Sequence, residues 1–363
     1  MHFIYMRKIF VTDCTLLVLF AAIVLCLGIG TFLSGDVPFS EEENRPLSFF
    51  PEFSAESLIS GEFFRGLGSF YSDRIPLRLT LVRLKGTSEI VLGKKENNGV
   101  LLLEDGKLVQ RCEYESTALL EKNIRGISES GITLVAVPRS VDVLTESEYA
   151  ASVRNLVYSA HPSGEGLYKR LCDAESAGKQ VYYRTDHHLD YDGAYVLYAF
   201  LCEELGVTPS TKESFSKELA SDSFLGTSYS KSGALISTAD SVYLPRYDGD
   251  TAPNVKCLDS GCTLTSLYDT SFLSKKDKYS IFLGGNHGTL TVKSSAEQDR
   301  PHLLLIKDSF ANAVIPMLAR HFDITVRDPR YEARPISGEY DAALVVCGID
   351  TLATTPFTFD IVE

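Results

Sequence analysis

The stretch Leu303-Leu304-Leu305-Ile306-Lys307-Asp308-Ser309-Phe310-Ala311-Asn312 decides the fold class. Its first four residues are a continuous apolar run, of the length and kind expected for a strand buried on both faces. Polar residues follow at once, and Ala311–His321 then reads as a helix. The same grammar recurs toward the N-terminus, where the apolar run Ile132–Val137 follows a predicted helix over Thr117–Ser130. Further helices are predicted at Gly164–Gly178 and Tyr191–Leu205, and further strands at Gln180–Tyr183, Ile324–Val326 and Ala342–Val346. Strands alternating with helices predict an α/β fold with a mostly parallel sheet covered on both faces.

Residues 213–279 break this rhythm. They are rich in Ser, Thr, Gly and Asp and read as a β-rich insertion. Upstream, Ser57–Lys85 has helical periodicity, and turns at Asn97–Gly99 and Asp105–Gly106 bracket the strand Val100–Leu103 as a small hairpin. Residues 36–60 are polar, contain Pro and read as a stalk.

The stalk follows a run of 22 uncharged residues, CTLLVLFAAIVLCLGIGTFLSG, from Cys14 to Gly35. That is enough to cross the hydrocarbon core of a bilayer as a helix. Arg7 and Lys8 precede it, and Asp36, Glu41, Glu42 and Glu43 follow it, so the positive side belongs in the cytoplasm and the rest outside. A cleaved signal peptide is the competing reading. The expected division is a cytoplasmic tail 1–13, a span 14–35, a stalk with helical and hairpin segment 36–110, and an α/β domain 111–363. The 363 residues carry 48 acidic against 35 basic side chains, a net charge of −13, which argues against nucleic acid as a partner. Of the eight cysteines, Cys257 and Cys262 flank a turn-like tetrapeptide and fit either a short disulfide loop or two thiols. None of the cysteines has zinc-site spacing, and neither a metal nor a cofactor is expected.

Two places can carry chemistry. Arg184-Thr185-Asp186-His187-His188-Leu189 follows a predicted strand and precedes a helix, and Lys307–Asn312 does the same. Reactive groups of open α/β sheets gather at such carboxyl ends. A serine hydroxyl needs a base, and the base needs an acid to set its tautomer. Ser309, His188 and Asp186 supply the three, with Asp and His two apart on one face of an extended segment. Other readings stand beside this one. Ser309 fits an N-cap, and His187, His188 and His287 fit a metal site. Asn286, within Gly284-Gly285-Asn286-His287, fits an oxyanion donor or a turn. Arg184 and Arg330 fit ligands for an anionic substrate or ordinary ion pairs.

Thr185-Asp186-His187-His188 followed by Gly193-Ala194 resembles the signature of the DHHW proteins of Gram-positive bacteria, relatives of the SGNH-hydrolase-like alginate O-acetylation proteins. Glu43–Leu47, Asp73–Arg78, Phe282–His287, Lys307–Asn312 and Asp328–Tyr331 extend the resemblance through most of the chain. It implies an SGNH-hydrolase-like three-layer sandwich around a five-stranded parallel sheet. It also implies a triad of Asp186, His188 and Ser309 and makes Asn286 the candidate for its oxyanion asparagine; Arg184, Asn312 and Arg330 are further candidate substrate ligands. Two departures are visible: Leu189 stands where the signature has Trp, and Lys307 where the serine motif has Gly. Gly226-Thr227-Ser228-Tyr229-Ser230 offers a second serine segment resembling that of the alginate proteins.

The expected function is a serine-dependent O-acyl (acetyl) transferase or esterase at the cell surface, acting on a polysaccharide acceptor. A membrane O-acyltransferase would supply the acyl donor. A catalytically silent polysaccharide-binding or assembly protein is the alternative.

Overall fold

A computed structural model of the chain describes residues 2–35, 37–43, 45–235, 237–247, 253–259, 261, 263–293, 300–332, 334–357 and 361–362. The chain forms two compact units, Met1–Gly93 with Gly233–Leu235, and Lys94–Ser232 with Ile236–Glu363.

The first unit opens with the helix α1, His2–Leu33. Within it Cys14–Leu33 is a 20-residue stretch apolar enough to cross a membrane. At 1.5 Å per residue it spans about 30 Å. A two-residue strand pair, β1 (Phe39–Ser40) and β2 (Arg45–Pro46), leads into α2 (Ala55–Ile59), α3 (Glu62–Arg74) and α4 (Arg78–Val91). The single helix expected over Ser57–Lys85 is thus three. Gly61 takes a left-handed φ of 73°, and Ile75-Pro76 forces extended backbone ahead of the proline ring.

The second unit begins with a three-stranded meander, β3 (Glu96–Asn97), β4 (Val100–Leu102) and β5 (Leu108–Gln110). Then come α5 (Ala118–Ser130), β6 (Thr133–Val137), α6 (Ser140–Leu144), α7 (Glu148–Ala160), α8 (Ser163–Ser176) and α9 (Tyr191–Glu204). The region read as an insertion holds β7 (Phe215–Phe224), α10 (Thr227–Ser232), β8 (Asp240–Tyr247), β9 (Asn254–Cys257) and β10 (Thr263–Leu264). After it come β11 (Thr289–Lys293), β12 (His302–Lys307), α11 (Ile315–Leu318), β13 (Asp323–Arg327), β14 (Ile336–Ser337), β15 (Ala342–Gly348), α12 (Ile349–Thr354) and β16 (Ile361–Val362), which pairs with β14.

One seven-stranded sheet organises this unit, in the order β10-β9-β11-β13-β12-β15-β6. The pairings β13–β12, β12–β15 and β15–β6 are parallel, whereas β10–β9, β9–β11 and β11–β13 are antiparallel. The sheet is therefore mixed rather than mostly parallel. Two of the three antiparallel pairings come from the insertion, because β9 and β10 add to the sheet edge through β11 instead of folding apart from it; the third joins β11 to β13.

Alternation along the parallel strands divides the core in two. Leu303, Leu305, Leu344 and Val346 face one way, toward Leu167 and Leu171 of α8 and Leu197 and Leu201 of α9. Leu304, Ile306, Val345 and Cys347 face the other, toward Leu120 and Ile127 of α5 and Val153 and Val157 of α7. Helices thus cover both faces, and the continuous apolar runs in the sequence are the reason. The carboxyl ends of β6, β12, β13 and β15 lie side by side by the parallel register.

Two local expectations need correction. Gln180–Tyr183 joins no sheet. It folds back on itself through an isolated bridge of Tyr182 with Leu189, with Tyr183 N–H donating to His188 O and Asp190 N–H to Val181 O. Ala311–His321 is not one helix either. Ser309–Ala311 is a 3-10 turn and α11 has only four residues, because Pro316 has no N–H to continue an earlier helix. The Cys257–Cys262 pairing lies outside the described residues, since Cys262 does.

Candidate active site

Asp308 closes β12 and shapes the turn that presents Ser309. Its Oδ1 accepts from Phe310 N–H at 2.9 Å, which makes Asp308, and not Ser309, the cap of this turn. Its Oδ2 accepts from Gly348 N–H at 2.8 Å, at the end of β15, and from Thr351 Oγ1 at 2.5 Å, in α12. Capping is thereby assigned to the neighbour, and the Ser309 hydroxyl is left for something else. It lies 2.8 Å from His188 Nε2.

His188 arrives from the 181–190 fold-back. Tyr182, fully buried, ties this segment to the end of β6 by donating from Oη to Pro138 O at 2.8 Å. Asp186 Oδ1 accepts from both His188 N–H, at 2.9 Å, and His188 Nδ1, at 2.5 Å. A carboxylate on Nδ1 places the proton there, so the Nε2 lone pair faces the serine O–H. Asp186 Oδ2 accepts from Thr227 N–H at 2.7 Å and Thr227 Oγ1 at 2.9 Å. Burial alone would raise the Asp186 pKa. The imidazoles of His187 and His188 and the hydrogen bonds from His188 and Thr227 outweigh it and hold the carboxyl far below the usual range. Asp186 therefore stays ionised at neutral pH.

The His188 ring is clamped on two sides. Tyr279 stacks on one face, with centroids 3.8 Å apart and planes 10° off parallel, and His187 lies on the other at 3.9 Å and 36°. Tyr279 Oη also donates to Ser309 O at 2.9 Å, so one tyrosine orients both the ring and the serine backbone. Replacing it by phenylalanine keeps the stack and deletes that bond. We expect Tyr279→Phe to cost about 1 kcal/mol of stability, as read by thermal melts.

His187 is no second base. Its Nδ1 donates to Thr227 Oγ1 at 2.6 Å, a hydroxyl that has already given its proton to Asp186. Desolvation, aided by the like charge of His188, pushes its pKa down to about 4, so it is neutral at physiological pH. Asp186, His187 and His188 are the one group of metal-type donors found among the described residues. Both carboxylate oxygens and both nitrogens of His188 are already engaged within the protein. His287 stands outside that group, with Nε2 on Leu283 O at 2.9 Å, so the three-histidine metal reading loses its third ligand.

The insertion braces the acid. Asp240 of β8 accepts from Arg184 N–H and Thr185 N–H, both at 2.8 Å, and from Thr185 Oγ1 at 2.6 Å. Gly226 N–H donates to Thr185 Oγ1, and Tyr229 N–H to Thr185 O. A β-carbon at Gly226 would stand 2.3 Å from Asp186 Cβ. Gly226→Ala must therefore push the acid away. The expected result is a loss of about 1–3 kcal/mol in a denaturant melt, with activity falling further than stability. The Gly226–Ser230 segment thus contributes Thr227 to the site, while its Ser228 is fully buried beside Gln110 and has no histidine partner among the described residues. Thr227, Tyr279 and Asp240 were missed by sequence reasoning. The resemblance of 226–230 to a serine motif was the available signal, pointing at the right segment for the wrong residue.

The other expected ligands are distributed unevenly. Lys307 is fully buried, and desolvation pulls its pKa down. Its Nζ donates to Asn312 Oδ1 at 2.7 Å and lies 3.4 Å from Asp328. Asn312 Nδ2 in turn donates to Asn286 Oδ1 at 3.1 Å. This orients the exposed Asn286 amide so that its Nδ2 remains a donor, without a partner among the described residues. Arg330 clasps Asp328 through Nε at 2.9 Å and Nη2 at 2.7 Å, and its Nη2 reaches Asn286 Oδ1 at 3.5 Å. Asn286, Asn312 and Arg330 thus form one polar network with the residue preceding Asp308. Arg184 is not brought to it. Its guanidinium donates to Asp105 O at 2.6 Å and holds the meander turn. Leu189, at the position expected to hold Trp, is 1% exposed and belongs to the main core. The departure there concerns packing.

Residues 167–326 match the model of the DHHW protein family, a span that contains Asp186, His188 and Ser309. A DHHW family protein from Eubacterium siraeum is 19% identical and superposes with a TM-score of 0.54, over 71% of this chain and 93% of its own. Bacillus cereus PatB1, solved with a sulfonyl adduct, is 17% identical with a TM-score of 0.57, over 72% and 99%. The O-acetyltransferase domain of Pseudomonas putida AlgJ superposes more loosely, at 0.40 and 15% identity over 71% and 94%. No curated protein matches the chain.

Proposed function

We propose that the chain is a membrane-anchored, SGNH-like serine O-acyltransferase or esterase that works on polysaccharide outside the cytoplasm. The observation that carries this reading is the continuous relay Asp186–His188–Ser309, with contacts of 2.5 and 2.8 Å. Such a relay is what nucleophilic acyl transfer needs.

His188 removes the Ser309 proton as Oγ attacks an ester carbonyl. The imidazolium that forms is stabilised by Asp186, whose charge is fixed by four hydrogen-bond donors. The Ser309 N–H, which has no partner among the described residues, and the Asn286 amide supply the oxyanion donors. His188 returns its proton to the leaving alcohol, and a sugar hydroxyl or water then takes the acyl group from Ser309 by the same steps in reverse. The acetyl and polysaccharide preferences rest on the family resemblance of the motifs. The sulfonyl adduct on Bacillus cereus PatB1 supports the same chemistry, since sulfonyl electrophiles capture activated nucleophiles.

The apolar helix Cys14–Leu33 supports anchoring, and Arg7 and Lys8 before it support an N-terminus in the cytoplasm. The reading is tested by hydrolysis of a chromogenic acetyl ester. Activity that collapses in Ser309→Ala and His188→Ala, with folding retained by circular dichroism, is the expected result. Turnover unchanged in both variants would sink it.

A further inference from the structure

The segment after the apolar helix folds back beside that helix's last turns. A β-carbon on Gly28 would stand 3.9 Å from Tyr71 Oη, and one on Gly30 2.6 Å from Pro76 Cγ. The Phe32 ring lies 5.5 Å from that of Tyr71 and 6.1 Å from those of Phe50 and Phe70. Gly28, Gly30 and Phe32 all belong to the stretch Cys14–Leu33. If that stretch crosses a bilayer, the groups touching it lie at the edge of the hydrocarbon. The end of α3 and the start of α4 therefore reach down to lipid.

Between Phe49 and Leu92, exposed apolar side chains crowd one part of the surface. Phe53 is 70% exposed, Ile59 88% and Leu84 62%, and Phe49, Phe64 and Leu81 are exposed with them. Ring contacts run without a break from the span outward: Phe32 to Phe50 at 6.1 Å, Phe50 to Phe63 at 6.3 Å, and Phe63 to Phe53 and Phe64 at 5.4 and 5.8 Å. On α4, Leu81, Leu84 and Val91 are exposed at helical spacing and so share one face, and Leu77 just before the helix is exposed as well. A water-facing surface rarely leaves so large an apolar area bare. The backbone beyond the span is also prepared for a dry setting. Buried Arg74 donates to Gly35 O, Val37 O and Ser48 O, carbonyls that water would otherwise serve.

We infer that α2–α4 form an interfacial platform, with this apolar face lying in the headgroup layer of the outer leaflet. The occupant is lipid, because the face is continuous with the surface of the span itself. Aromatic and aliphatic side chains at that depth are what an interface favours. The chain then leaves the membrane after Leu92, and not after Leu33. This inference rests on the membrane anchoring proposed above.

The chain has no tryptophan, so one introduced residue is a clean reporter. The test uses the full chain in phosphatidylcholine vesicles with Phe53→Trp, Phe64→Trp and, as a control in the span, Leu19→Trp. Both platform variants should give blue-shifted emission that is lost with lipid brominated near the headgroup end of its acyl chains. Leu19→Trp should be quenched best by lipid brominated deeper in the chain. Emission of Phe53→Trp and Phe64→Trp at the water position, quenched by iodide and not by brominated lipid, would overturn the platform while a quenched Leu19→Trp kept the span. Blue-shifted emission insensitive to brominated lipid would overturn it in favour of a protein partner. An unquenched Leu19→Trp would remove the span and the platform together.

Discussion

Ser309→Ala should lose about a thousandfold or more of the ester-hydrolysing kcat while the protein remains folded. The asymmetry follows from the site. Ser309 Oγ has its bond to His188 Nε2, and the turn that presents it is held by Asp308, Gly348, Thr351 and Tyr279. Removing the oxygen deletes the nucleophile and leaves that scaffold intact, at a stability cost of about 1 kcal/mol or less. His188→Ala should fall by a similar factor, and the double variant scarcely further, because the two act as one unit. Progress curves on a chromogenic acetyl ester, with melts run in parallel, separate this outcome from simple misfolding.

Asp186→Asn is the second large effect, with an expected drop of about 10⁴ in kcat. The amide keeps the shape, but its N–H₂ can donate to Nδ1 and turn the imidazole into the wrong tautomer. Stability responds differently, and its pH dependence has a definite sign. The Asp186 pKa is depressed in the folded protein. Its charge therefore stabilises the fold above the unfolded-state value of about 3.9, and that contribution is lost as pH falls through the folded value. The parent should melt above Asp186→Asn at neutral pH, and the gap should narrow as the solution is taken below about pH 4. A gap that widened on acidification would mean that the carboxyl is not ionised in the native site.

The sequence made some of this legible and hid the rest for identifiable reasons. Apolar runs such as Leu303–Ile306 and Ile132–Val137, short and set between predicted helices and polar turns, announced strands buried on both faces, because a sheet covered on both sides accommodates such residues in succession. The Asp186–His188–Ser309 contacts were readable because each part sits where a strand-like segment ends and its chemistry has few substitutes. The antiparallel half of the sheet was not readable. Asn254–Cys257 and Thr263–Leu264 are short and polar at the edge, and only pairing through Thr289–Lys293 makes them strands. Thr227 and Tyr279 were invisible for a related reason. Their value lies in a hydroxyl bond to Asp186 and a stack on His188, across 41 and 91 residues of chain, and no local pattern encodes such a contact. Lys307 shows the limit of motif reading. In place of a glycine it looks like a defect, yet buried it orients Asn312 and through it Asn286.

The most direct test of the central claim is covalent capture of the nucleophile. The full chain is treated with an arylsulfonyl fluoride, digested and analysed by mass spectrometry, with His188→Ala alongside. A single adduct on the peptide containing Ser309, lost or strongly slowed in His188→Ala, is the predicted result. No adduct on that peptide, or equal labelling with and without His188, would contradict the account.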